Sequence, residues 1–378
     1  AVMGTIVDFQ LFFVTPEQEP IVVGGAFGAM YSGRVSHRPS PVEPGIVTRH
    51  PDRVCPEAAE VARGGQSLYY DDNHDTQHWK DRRYYDAGNA STAVFLQQGF
   101  DDAYLSGHMM QDRRLFEVFT GPKRMFEGQW GHSTPPAANI ERAYPDTSYT
   151  QLTMQWFDYW LKGLGTAAGA GVGLFEFEDG ENNWHQSTSW PPAEHETLRL
   201  HLSRGDTLSG ETVAGDAPFQ AAFGTGPADP NCVGLLKHGL SYTTDPVAED
   251  WLIAGNPDLN LSVTSDQPSG SISVSLFIVE SSTGDGCHDG QWTPFSWGGA
   301  NIRFAHGTLQ GRDFPVGTPT SMHITLSDFA EVIPKGARLG LSIAGFEPFH
   351  RPPQAYPEFT VHEGEGSFLT IQAQKRDV

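Results

Sequence analysis

Asp101 and Asp102 follow a short apolar run, Ala93-Val94-Phe95-Leu96-Gln97-Gln98-Gly99, and His132 follows a second, more polar one, Lys123-Arg124-Met125-Phe126-Glu127-Gly128. A carboxylate and then an imidazole, each delivered on a loop after a strand-like run, can serve as the acid and base of a nucleophilic triad. The carboxylate holds the imidazole tautomer and stabilises the imidazolium; the imidazole takes a proton from a hydroxyl nucleophile and returns it to the leaving group. The nucleophile itself is missing, because no G-x-S-x-G occurs in the chain. Ser32, in Met30-Tyr31-Ser32-Gly33, lacks the glycine two residues earlier that a strained strand-to-helix turn needs. Trp130 and the glycines beside it, in Gly128-Gln129-Trp130-Gly131-His132-Ser133, are expected to shape a tight, partly dry loop.

The elements that must carry these residues can be read from local patterns. A compact apolar run ending in glycine fits a buried strand of a parallel sheet opening into a loop. Thr5 to Val14 and Ile21 to Gly24 are further strand-prone pieces. From about Ser36 to Asp86 the chain turns rich in proline, charge and aromatics, with a helical window at Pro56 to Arg63 and the acidic stretch Asp71-Asp72-Asn73-His74-Asp75. Thr147 to Gly163 places Leu152, Met154, Trp156, Phe157, Trp160 and Leu161 at helical spacing, which predicts a core-packing helix ended by Gly163 and Gly165. Thr166 to Gly171, only Ala and Gly after its threonine, reads as the domain border. Beyond it, Leu198 to Leu202, Leu259 to Val263, Ser271 to Leu276 and Ser321 to Leu326 alternate apolar with polar between Gly/Pro/Asp turns, the pattern of a β-sandwich with one wet face per sheet.

Several landmarks occur in a fixed order: Trp79-Lys80-Asp81-Arg82-Arg83, Gly128-Gln129-Trp130-Gly131-His132, Trp156-Phe157-Asp158-Tyr159-Trp160-Leu161-Lys162-Gly163 and Ser189-Trp190-Pro191-Pro192. They are followed by Ile253-Ala254-Gly255-Asn256-Pro257, Gly298-Gly299-Ala300 with Arg303, Ile333-Pro334-Lys335-Gly336-Ala337-Arg338-Leu339 and Gly366-Ser367. Together they resemble the family of X-prolyl dipeptidyl aminopeptidases, cocaine-esterase-like hydrolases and α-amino-acid ester hydrolases. The resemblance implies an α/β-hydrolase fold: core strands in 1–35, a helical cap insertion in 36–88, the C-terminal part of the core with its acid and base in 89–165, and a jelly-roll sandwich in 173–378. It assigns the acid to Asp102, with adjacent Asp101 as rival, and the base to His132. Tyr69, Tyr70, Asp71 and Asp72 become candidates to line the cap, and Tyr69, Tyr70 and Trp130 are the candidate substrate-binding residues. The implied activity is that of a serine hydrolase cleaving a peptide amide, as an X-Pro dipeptidyl peptidase does, or an ester.

In that family a serine elbow precedes a strand like Gly4-Thr5-Ile6-Val7-Asp8-Phe9, so the resemblance implies a partner polypeptide that brings the serine. Proteolysis of a longer precursor is the first expectation, a separately encoded subunit the second, an N-terminal part simply not included in this chain the third, and a homo-oligomer of the resulting heterodimer is left open. A different class of function is a non-catalytic peptide- or carbohydrate-binding protein on the same scaffold, with Trp292, Phe295 and Trp297 as a sugar platform, although edge packing against the hydrolase domain is the first reading of those three aromatics.

Composition narrows the partners. The 378 residues carry a formal net charge of −22, which argues against nucleic acid and anionic membranes. No apolar run approaches the ~18 residues of a membrane span. Cys232 and Cys287 would pair if the protein is exported, with Cys55 free or linked to the missing fragment, whereas three unpaired thiols fit the cytoplasm. His74 and His78 are four apart without a third ligand, so neither metal nor cofactor is expected.

Overall fold

The computed structural model describes residues 2–3, 92–100, 116–117, 119–131, 134–220, 239–280, 291–305, 311–345 and 357–376. The expected cap, the strand-prone pieces at Thr5 to Val14 and Ile21 to Gly24, Ser32 and all three cysteines lie outside these residues.

The first layer is a five-stranded sheet in the order β1 (Val2–Met3), β2 (Val94–Gly99), β3 (Lys123–Gly128), β4 (Phe175–Glu178), β5 (Trp184–Ser187). β1, β2, β3 and β4 run parallel, and β5 returns antiparallel from β4. Its strands alternate between two covered faces. Phe95 and Phe126 point to one, where Ile140 of helix α1 (Ala137–Ala143) and Leu152 and Trp156 of helix α2 (Tyr149–Lys162) bury them. Leu96, Met125, Phe175 and Phe177 point to the other and meet Trp190.

Helix α2 forms where its caps dictate. The Ser148 hydroxyl accepts from the Gln151 N–H while the Gln151 side chain accepts from the Ser148 N–H, a closed capping box. At the other end Gly163 takes the left-handed conformation, φ 68°, and Leu164 N–H bonds to the Asp158 carbonyl. Only Leu152 and Trp156 of the expected core set are fully buried, whereas Met154 is 45% and Leu161 76% exposed. The helix has one face against the sheet, and its apolar residues are spread wider than that face.

The small-residue stretch at 166–171 is not a border in space. It leads straight into β4, which pairs with β3, so β4 and β5 complete the first sheet and the sandwich starts only at β6 (Glu196–Ser203). Its last two residues lie against an arginine: a Cβ on Gly171 would lie 2.6 Å from Arg124 Nε, and Arg124 Nη1 donates to the Ala170 carbonyl at 3.2 Å.

From β6 onward the described residues form thirteen strands in one hydrogen-bonded network, with one 3-10 turn at Ile302–Phe304. One end is β13 (Gln291–Asn301), β12 (Ser271–Glu280), β16 (Arg338–Ala344) and β9 (Leu240–Thr243), which β7 (Thr207–Ser209) links to β6. The other holds β6 beside β18 (Phe368–Arg376), then β11 (Asp258–Ser265), β17 (Glu358–Glu363) and β8 (Gly215–Gln220), with β14 (Thr320–Thr325) on β11. Leu276, Leu341 and Ile343 from the first group share one core with Leu261, Val361 and Ile371 from the second. β11 shows the expected alternation of buried and half-buried residues. β12 does not: Ser271, Ser273 and Ser275 are buried too. β12 is an inner strand between β13 and β16, and Ser275 lies beside Trp297.

Two strands of the sandwich reach the first sheet. Leu252 and Ala254 of β10 (Asp250–Gly255) and Ala330 and Val332 of β15 (Phe329–Ile333) pack into the cluster of Leu96, Met125, Phe175 and Phe177. The first sheet is therefore covered by helices on one side and by the sandwich on the other.

Candidate functional site

Asp101, Asp102, His132, Tyr69, Tyr70, Asp71 and Asp72 lie outside the described residues; what the structure describes is the ground from which the two loops start. β2 and β3 are neighbours in parallel register from Val94↔Lys123 to Gly99↔Gly128. Adjacent strands are about 5 Å apart, so the segment holding Asp101 and Asp102 and the segment holding His132 leave the sheet side by side, at the same level. Phe100 N–H seals this edge by donating to the Gly128 carbonyl at 2.8 Å.

Both strands end in glycine for a steric reason. The chain turns sharply after Gly128, Trp130 N–H bonding back to the Gly128 carbonyl at 2.9 Å, so Trp130 crosses both strand ends. A Cβ on Gly99 would stand 1.9 Å from the Trp130 carbonyl oxygen, and one on Gly128 would stand 2.2 Å from the indole ring. Trp130 itself is buried, stacked near Phe126 at 5.8 Å and Trp184 at 6.3 Å between ring centres. Its ring is a packing element of the helix-side core.

On β4, beside β3, are two buried carboxylates that the sequence analysis did not single out. Glu176 and Glu178 sit on β4, within Phe175-Glu176-Phe177-Glu178, and project toward the helix side. Glu176 pairs with Arg124 at 2.6 Å, both being almost fully buried, and also accepts from Tyr144 OH and from Gln186 at 3.2 Å. Burial pushes its carboxyl above the ordinary range against the pull of the Arg124 guanidinium. Glu178 accepts from the Gln129 N–H at 3.2 Å, from the Asn139 side chain, and from Arg142 Nε at 2.8 Å and Nη2 at 2.6 Å. The signal for both is present in the sequence: two glutamates at period two inside a strand whose other residues are phenylalanine must go inward together, and buried charges require partners.

The next residue, Asp179, closes the β4–β5 turn. Its Oδ1 accepts from the Glu181 and Asn183 N–H groups at 3.0 and 2.8 Å, and its Oδ2 lies 2.8 Å from His185 Nε2. Burial alone would raise this carboxyl, but the hydrogen bond from His185, those from Asn183 and the His185 charge together hold it below the ordinary range.

Of the three aromatics of the supposed sugar platform, Phe295 packs on the sandwich core 4.5 Å from the Phe329 ring centre and Trp297 is half-buried, while the side chain of Trp292 lies outside the described residues. Among the described residues no group of three His, Cys, Asp or Glu is placed to hold a metal ion, and no helix is long and apolar enough to cross a membrane.

Comparison with known proteins adds the relationship. No curated protein matches the chain. Among solved structures it is similar to an aminopeptidase from a marine sediment Thaumarchaeota archaeon, at 14% identity and a TM-score of 0.63 over 83% of this chain and 60% of that one. It is also similar to an α-amino acid ester hydrolase, at 16% identity and a TM-score of 0.61 over 84% of this chain and 62% of that one. A CocE/NonD family hydrolase from Staphylococcus aureus superposes on 98% of this chain and 66% of its own, at 14% identity and a TM-score of 0.67. At these identities the likeness is one of fold, and the chain spans less than two thirds of each of those proteins. The family model described as the X-Pro dipeptidyl-peptidase C-terminal non-catalytic domain matches residues 170–376, from the end of the small-residue stretch through the last strand. With more than half of its length matched in this way, the chain belongs to the X-Pro dipeptidyl-peptidase C-terminal domain family.

Proposed function

We propose that this chain is the C-terminal portion of an α/β-type serine hydrolase that cleaves a peptide amide or an ester next to a small acyl or dipeptidyl group. The observation that carries the reading is the register of Gly99 with Gly128, which starts the Asp102 and His132 loops from adjacent strand ends. An acid and a base that must share a hydrogen bond need such neighbouring origins. The similar structures, an aminopeptidase and two hydrolases by description, agree with it.

In the proposed mechanism His132 removes the proton from a serine hydroxyl supplied by polypeptide outside this chain. The serine oxygen bonds to the substrate carbonyl carbon; collapse breaks the bond to the leaving amine or alcohol, which takes the proton from His132. Water then repeats the attack on the acyl-enzyme and restores the serine. Asp102, with Asp101 as alternative, orients the imidazole. The sandwich supplies no reacting group and covers one face of the catalytic sheet. The serine-bearing partner, its origin by proteolysis and an extracytoplasmic site of action with Cys232 paired to Cys287 belong to the same proposal.

Intact-mass analysis of the native material after treatment with a fluorophosphonate probe tests it. A second polypeptide carrying one covalent adduct is expected, with labelling abolished by His132→Ala and slowed by about 10⁴-fold by Asp102→Asn but not by Asp101→Asn. No adduct on any associated chain overturns the catalytic reading and leaves a binding protein.

A further inference from the structure

We infer that Glu178 is a positioning residue for His132, a claim that rests on the serine-hydrolase reading above. Glu178 is fully buried at the end of β4, yet among the described residues its side-chain hydrogen bonds all come from one stretch of chain, the connection from β3 into α1. The backbone of Gln129 opens that stretch and the side chain of Asn139 closes it, and both donate to the same oxygen, Oε2. Arg142, one turn further along α1, clasps Oε1 through two nitrogens. The two ends are also tied to each other, Asn139 Nδ2 donating to the Gln129 carbonyl at 3.4 Å. One carboxylate thus gathers the base of segment 129–139, and His132 lies inside that segment.

The anchor is rigid because β4 is the next strand of the sheet, held to β3 at Met125↔Phe175 and Glu127↔Phe177. It also engages the sandwich. The Gln129 side-chain amide donates to the Glu178 carbonyl at 3.1 Å and, across the interface, to the Ala330 carbonyl of β15 at 2.9 Å. An apolar residue at 178 would leave the Gln129 N–H and the Asn139 amide without this acceptor in a buried setting, so the carboxylate holds the two ends of the segment together. Through Gln129 the non-catalytic sandwich would take part in aiming the base without touching substrate.

The test compares the full chain, made together with whatever polypeptide accompanies it, with Glu178→Gln and with the double variant Glu178→Gln/Arg142→Met, which leaves no orphan charge and guards against a fold lost to charge burial. Fluorophosphonate labelling is followed against probe concentration and pH. The expected result for a folded variant is a maximal labelling rate lowered about 10- to 100-fold with the half-saturating probe concentration unchanged, and a displaced pH midpoint. Wild-type rates and an unchanged pH midpoint in the folded double variant would overturn the positioning role while leaving the hydrolase reading intact. Should the wild-type material itself fail to label, the hydrolase reading falls, and hydrogen exchange then decides the anchor. Faster exchange confined to 129–139 in the variants would support the clamp, and unchanged exchange there would overturn it.

Discussion

Gly99 and Gly128 show how much one absent methyl group can decide. Each terminates a strand under the backbone or ring of Trp130, so Gly99→Ala would force a Cβ against a carbonyl oxygen now 1.9 Å from its ideal position. Backbone cannot swing aside as a side chain does, and a loss of about 1–3 kcal/mol is expected in chemical denaturation; an unchanged midpoint would mean that Trp130 does not cross β2 in solution. Asp179 carries a pH prediction. Its carboxyl is held below the ordinary range in the folded chain, chiefly by His185 and Asn183 acting against burial. A depressed carboxyl contributes stability above its unfolded value, 3.8, and loses it as pH falls through the lower folded value. The melting-temperature gap between the wild-type chain and Asp179→Asn should therefore be full at neutral pH and close as the pH is taken below about 4, and a gap independent of pH would refute the assignment. At this scale the sequence reveals which residue types sit at the strand ends. It does not reveal that Trp130 folds back over them, because that depends on Phe126 and Trp184 making room for an indole.

Helix α2 is the element most fully legible in the sequence. The expected span, Thr147 to Gly163, encloses the observed Tyr149–Lys162 between its caps Ser148 and Gly163, since capping box and left-handed glycine are local devices. Ser148→Ala should cost about 1 kcal/mol, seen as a lower melting temperature, with Ser148→Asp near wild type; an equal loss in both would assign the effect to something other than the cap. The burial of that helix is less legible. Its apolar residues suggest a broad core face, yet Met154 and Leu161 are exposed, because a helix lying on one sheet covers only the strip it touches. β12 errs the other way: its alternating serines suggest a wet face, yet they are buried on an inner strand between β13 and β16.

At the scale of the whole molecule the first sheet and the sandwich share one apolar cluster, with Leu252, Ala254, Ala330 and Val332 covering Leu96, Met125, Phe175 and Phe177. A chain cut before β6 would expose this cluster to water, and the expected result is aggregation on expression, recovered when residues 196–376 are co-produced. A soluble, monomeric 1–195 product would show that the interface is dispensable. The family model begins at residue 170, close to the small-residue border read from composition, while strand pairing carries β4 and β5 back into the first sheet. By itself the sequence determined α2 with its caps, the strand character of the runs in β2, β6, β11, β12 and β14, and the order of a candidate acid and base, because alternation, capping and turn chemistry are written within a few residues. Only the tertiary structure decided that Gly99 stands beside Gly128, that β4 belongs to the first sheet, and that Glu178 reaches Gln129 across 49 residues of chain. Those facts follow from which strands lie side by side and which charges must find partners once water is excluded, and no local period encodes either.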